Sequence, residues 1–103
     1  MDRIGKLKTY LAENPSDSFL KHALALEYIK MGDDKAARKL FEEIVEKEPD
    51  YVGTYYHLAK LLERNEDTEQ AIKVYEKGME EAKKAGDNHA HNELRAAYEE
   101  LTF

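Results

Sequence analysis

Residues 18–51, SFLKHALALEYIKMGDDKAARKLFEEIVEKEPDY, decide the fold once they are laid over residues 52–85, VGTYYHLAKLLERNEDTEQAIKVYEKGMEEAKKA. At an offset of 34, Leu24 meets Leu58, Ala25 meets Ala59 and Ala37 meets Ala71. Asp33, Lys39, Glu42 and Glu46 meet Asp67, Lys73, Glu76 and Glu80. Tyr28 meets Leu62 and Phe41 meets Tyr75, so bulky sites stay bulky. Pro15 and Pro49 keep the same offset, each just before a residue suited to capping, Ser16 and Asp50. Recurrence at a period of about 20–50 residues marks a repeat array.

Within each copy the spacing is helical. Phe19, Ala23 and Leu26, with Leu24 and Tyr28, follow the i, i+3, i+4 rule. Met31-Gly32-Asp33-Asp34 then reads as a stop and a restart. Gly32 supplies a left-handed C-cap, and Asp33 or Asp34 an N-cap. Ala37, Leu40, Phe41, Ile44 and Val45 make a second apolar stripe that ends at Glu48-Pro49. The second copy repeats the scheme with Tyr55, Leu58, Ala59 and Leu62, a turn at Asn65-Glu66-Asp67, and then Ala71, Val74, Tyr75 and Met79. No proline stops this last helix before Gly86-Asp87.

The flanks are half-units. Residues 2–13, with Ile4, Leu7, Tyr10 and Leu11, read as the second helix of a preceding repeat. Residues 88–101, with Ala90, Leu94, Ala97 and Leu101, read as a capping helix. The expected fold class is therefore all-α, an α-α superhelix of stacked antiparallel hairpins. Its helices are expected at about 2–13, 17–31, 34–47, 51–65, 68–85 and 88–101. They belong to a single domain over residues 1–103, with repeats at 18–51 and 52–85. The half-unit at the start fits a segment of a longer array, and Met1 with a closing cap fits a complete small protein; the sequence leaves both open.

Composition narrows the function. The 103 residues carry 16 basic and 22 acidic side chains, a net charge of −6. Charged residues make up 37%, well above the usual ~25%, as suits a solvated helical chain. The acidic balance argues against nucleic-acid binding, which needs a basic face. No apolar run is long enough to span a membrane, and the N-terminus lacks the apolar core of a secretory signal. No cysteine is present, so thiolate metal sites and thiol nucleophiles are excluded. A cytoplasmic location is the expectation.

The repeat resembles the tetratricopeptide repeat, whose signature is W-x₂-L-G-x₂-Y, then A-x₃-F, then P. The first copy carries Lys21-x₂-Leu24-Ala25-x₂-Tyr28, Ala37-x₃-Phe41 and Pro49. The second carries Tyr55-x₂-Leu58-Ala59-x₂-Leu62 and Ala71-x₃-Tyr75. Lys21 departs from the aromatic site, Lys83 replaces the proline, and Gly78 stands where the first copy has Ile44. The resemblance implies a non-catalytic module that binds a peptide or partner protein in a groove lined by the first helix of each pair.

The residues expected to face such a groove are Phe19, His22, Leu26, Ile29 and Lys30 in the first copy, and Tyr56, Lys60, Glu63 and Arg64 in the second. His22, Lys30, Lys60 and Arg64 are opposed there only by Glu63, while acid gathers on the second helices. Such a stripe suits an acidic segment or a free C-terminal carboxylate. The alternative is that these cations are solvated and merely complement helix C-termini. The carboxylate clamp that grips chaperone tails is incomplete, because His22 and Leu26 stand where its Lys and Asn belong. A different reading is a weak homodimer through the repeat ends, with Tyr51, Tyr55, Tyr98 and Phe103 as exposed anchors.

No reactive constellation stands out. Ser16 is explained by capping, and no oxyanion hole accompanies Ser18 and His22. The five glycines are isolated, so no phosphate loop exists. His89 and His91, two apart on a helix, point to opposite sides and cannot share a metal. No catalytic residue, metal or cofactor is expected.

Overall fold

The computed structural model describes residues 2–103. Met1, the first residue of the expected domain, lies outside them. The described chain is helical throughout: α1 (Arg3–Glu13), α2 (Ser18–Lys30), α3 (Asp34–Lys47), α4 (Gly53–Arg64), α5 (Thr68–Ala85) and α6 (Asn88–Thr102). All six expected helices are present, each within two residues of its expected ends. The chain divides into two compact units, one running through Glu48 and one spanning Pro49–Phe103.

In the first unit α2 packs on α3 and on α1. Ala25 and Ala37 are completely buried, with Leu24, Phe41 and Ile44 around them. Small residues let the two backbones approach, and the larger ones fill the flanking space. α1 contributes little to the core, since Leu7 is its one buried residue and Tyr10 is 51% exposed. Lys21, in the aromatic position of the repeat, is nonetheless buried. Its aliphatic stem occupies the space, and its ammonium reaches Glu43 at 3.6 Å.

In the second unit α5 packs on both α4 and α6. Ala59, Ala71 and Ala82 are fully buried, among Tyr55, Leu58, Leu61, Leu62, Tyr75 and Leu94. Tyr55 takes the aromatic position, and Gly78 is what admits it. A Cβ on Gly78 would stand 2.7 Å from the Tyr55 Cβ and 3.0 Å from Leu94 Cδ1. The departure from Ile44 thus compensates for the larger residue opposite.

The turns use one residue twice. Gly32 (φ 82°) ends α2 in the left-handed region, and the next N–H, of Asp33, donates to the Tyr28 carbonyl at 2.9 Å. The Asp33 carboxylate then accepts from Ala36 N–H at 3.1 Å and opens α3. Gly86 (φ 71°) and Asp87 do the same between α5 and α6, Asp87 accepting from Ala90 N–H at 3.0 Å. Two expected caps are corrected. Asp17, not Ser16, caps α2, because Pro15 and Ser16 are spent in a turn and Asp17 is the residue that reaches Leu20 N–H at 3.1 Å. Asp50 does not cap α4, whose N-cap residue is Val52, without a side-chain bond.

Candidate functional site

In the first unit, α2 brings Phe19, His22, Leu26, Ile29 and Lys30 to one side. All five line an open depression of about 410 Å³. Spacings of three and four residues place them on one helical stripe. Phe19 is 68% exposed, so it belongs to this surface and not to the apolar core stripe in which its spacing also placed it. The His22 ring lies 5.5 Å from that of Phe41, tilted at 54°, which ties the floor of the depression to the core.

Three further residues complete the lining: Arg3, Ala23 and Glu27. Arg3 Nε sits 2.6 Å from Glu27 Oε1, and Lys30 Nζ lies 3.4 Å from Glu27 Oε2. The cations are largely solvated while the carboxylate is shielded, at 67% and 74% side-chain exposure against 13%. Two positive groups therefore lean on one buried-side carboxylate, and an incoming anion meets a net positive rim. Glu27 corrects the reading that Glu63 alone opposes the cations. The Glu27–Lys30 spacing of three was legible in the sequence. Arg3 was not, since only the antiparallel return of α1 against α2 brings it there.

In the second unit, α4 carries Tyr56, Lys60, Glu63 and Arg64. Lys60 Nζ lies 5.7 Å from the centre of the Tyr56 ring and 3.6 Å from Glu63 Oε2. Glu63 also accepts a short hydrogen bond from the Tyr75 hydroxyl. Burial and then the Glu63 carboxylate hold the Tyr75 proton well above the ordinary tyrosine range. Lys60 is thus tethered at both ends of its reach, over a π face and against a carboxylate. Beside it the Tyr56 and His57 rings meet edge-on at 5.9 Å. Burial pushes the His57 pKa down, and Glu93 partly opposes that shift.

The aromatics expected as exposed anchors separate. Tyr55 is 2% exposed, and its hydroxyl donates to the Pro49 carbonyl at 2.5 Å. Its pKa is pushed up to about 12 by burial, with Glu81, Asp50 and Glu80 adding to the shift. It is a core residue, because the Gly78 notch draws the ring inward. Tyr98 is half-buried and donates to Glu76 at 3.1 Å. Tyr51 is also half-buried, and Phe103 is 94% exposed. Among the described residues no group of three or more His, Asp or Glu side chains is placed to hold a metal ion. No helix there is long and apolar enough to cross a membrane.

Helix hairpins with small residues at the crossings, repeated at a fixed period, define the class of helical repeat proteins. The tetratricopeptide repeat family model matches residues 28–98, and the chain belongs to that family. A tetratricopeptide repeat domain protein from Salinibacter ruber is similar in its solution structure, with 45% identity and a TM-score of 0.82 over 85% of this chain and 89% of that one. A crystal structure of a Salinibacter ruber tetratricopeptide repeat domain protein gives 46% identity and a TM-score of 0.79, covering 82% and 94%. A Bordetella parapertussis protein shares the fold at 23% identity, with a TM-score of 0.82 over 98% and 88%. Mouse aspartyl/asparaginyl beta-hydroxylase is 29% identical over 66 residues, which is 64% of this chain and 9% of that protein. The chain spans under a tenth of this enzyme's length. The fold is all-α, of the tetratricopeptide solenoid class, a class of interaction modules that are generally non-catalytic.

Proposed function

We propose that the chain binds an acidic, partly apolar peptide segment of a partner protein through the depression on α2. The observation that carries this reading is the pairing of an apolar floor with two solvated cations. Phe19, Ala23, Leu26 and Ile29 offer apolar surface for one side chain, and Arg3 and Lys30 flank it while sharing a single carboxylate. Burying a leucine-sized side chain against such a floor supplies most of the affinity. The cations select the sign of what accompanies it. On α4, Tyr56 and Lys60 offer a second contact of similar type, weakened by Glu63.

Fluorescence anisotropy with labelled acidic peptides containing one leucine tests the reading. Phe19→Ala and Leu26→Ala are each expected to weaken binding about tenfold, the equivalent of ~1.4 kcal/mol. Lys30→Glu is expected to weaken acidic peptides and spare neutral ones. Lys60→Glu with Arg64→Glu measures the contribution of α4. Unchanged affinity in both alanine variants overturns the assignment. Self-association is the competing outcome, and light scattering over a concentration series reports it directly.

A further inference from the structure

The first depression is not alone on this face. A second one, of about 200 Å³, is lined by Asp2, Arg3, Ile4, Glu27, Lys30 and Met31. Arg3, Glu27 and Lys30 belong to both, so the ion cluster is a wall between two hollows. On one side stand Phe19, Leu26 and Ile29; on the other, Ile4 and Met31. Met31 is 70% exposed, an unusual state for a large apolar residue at a helix end, and it matches the exposure of Phe19 across the wall. Asp2 is the one further acid in the second hollow, and it is engaged by accepting from Gly5 N–H at 2.6 Å as the cap of α1.

We infer that the bound segment carries two apolar side chains, four residues apart in extended backbone, with a carboxylate on the residue midway between them that meets Arg3 and Lys30. This rests on the peptide-binding reading above and gives its ligand a pattern. The spacing follows from the helix. Leu26 and Met31, the C-cap residue, are five residues apart, so they differ by about 140° around α2 and ~7.5 Å along it, which sets their side chains about 12–13 Å apart across the wall. In an extended peptide, residues i, i+2 and i+4 fall on one side, the outer two about 13 Å apart at ~3.3 Å per residue, with the middle one over the wall. The sign follows from the wall, where two solvated cations share one shielded carboxylate and an added anion completes the pairing. A basic residue in that place meets like charge, so the wall also rejects.

The experiment uses the full 103-residue chain and three fluorescein-labelled peptides. Their centres, within a Gly-Ser sequence, are Leu-Ser-Glu-Ser-Leu, Leu-Ser-Glu-Ser-Ser and Leu-Ser-Lys-Ser-Leu, denoted by their same-side residues as Leu-Glu-Leu, Leu-Glu-Ser and Leu-Lys-Leu. The first is expected to bind about tenfold more tightly than either of the others. Met31→Ser, which adds no charge beside Arg3 and Lys30, is expected to remove the advantage of Leu-Glu-Leu over Leu-Glu-Ser, read as the ratio of the two affinities in the same variant. That substitution is at an exposed position, and an unchanged melting curve confirms that the protein folds. Equal affinity for Leu-Glu-Leu and Leu-Glu-Ser, both still weakened by Leu26→Ala, overturns the two-hollow pattern and leaves the peptide-binding reading standing. Absence of binding by all three overturns both. A concentration-dependent dimer abolished by Met31→Ser and not displaced by Leu-Glu-Leu assigns the hollows to a second copy, and overturns the pattern as well.

Discussion

Glu66 is the one described residue other than glycine with positive φ, at 64°. It stands 34 positions after Gly32, which holds the same left-handed turn at 82° without steric cost. Every L side chain pays in that region, through contact of its Cβ with the following carbonyl, about 1–2 kcal/mol. Glu66→Gly should therefore stabilise the second unit, by about 1 kcal/mol at most, because the larger unfolded-chain entropy of glycine offsets part of the relief. Urea denaturation reads this as a raised midpoint at unchanged slope. The opposite sign is expected at Gly78. Alanine is the better helix former by about 1 kcal/mol, but its Cβ would lie 2.7 Å from that of Tyr55. Overpacking of this kind costs about 1–3 kcal/mol. Gly78→Ala is thus expected to destabilise despite its propensity, and a variant at least as stable as the parent contradicts the notch. Neither position was legible alone. Lys21 and Gly78 each looked like a lapse from the repeat, and the close approach of Gly78 to Tyr55 shows that the glycine is what makes room for a ring in the second copy.

At the scale of helices, the sequence is readable because each signal is local. Gly32-Asp33 and Gly86-Asp87 combine a left-handed stop with a cap for the next helix, which fixes turns of two or three residues. Cap identity was less legible at the start of α2, where Pro15, Ser16 and Asp17 all fit a helix entrance and only the turn geometry separates them. α4 begins still more weakly, with the Thr54 and Tyr55 N–H groups reaching Tyr51 and Val52 carbonyls at 3.4 Å. Its position rests on packing: Thr54, Tyr55, Leu58, Ala59, Leu61 and Leu62 are all buried. That packing depends on α6. Leu94 and Ala97 are 1% and 5% exposed, and Leu94 sits at the Gly78 notch. Fully burying a leucine is worth about 1.5–3 kcal/mol, and a domain's whole stability is only about 5–15 kcal/mol. Removal of residues 88–103 should abolish cooperative unfolding of the second unit, seen by circular dichroism as a broad, shallow melt. A sharp transition at the original midpoint would refute that.

At the scale of the whole molecule, charge sorts the two functional readings and also sets the response to acid. The site was legible on α2 because its members repeat at helical spacing, and illegible at Arg3 and Ile4 because a half-unit's return against α2 is a tertiary fact. The chain's net charge of −6 concealed a positive rim only a few residues wide. Lowering the pH toward the isoelectric point, about 5.2, removes net negative charge from the chain as a whole, so a specific acid response must be read against that background. His57 supplies one. Its pKa in the folded chain is lowered, first by burial and against the pull of Glu93. The unfolded chain takes up that proton near the ordinary value of about 6.5, while the folded chain resists until lower pH. The unfolded state thus binds more protons in the window below about 6.5, and stability rises with pH there. The contribution is complete above that value and is lost as the solution is acidified through the window. Melting temperature measured from pH 7.5 to 5.5 should fall more steeply for the parent than for His57→Gln, whose side chain does not titrate. The slope is the test, because the substitution shifts the absolute midpoint by altering the Tyr56 contact. Parallel slopes would remove His57 from the acid response.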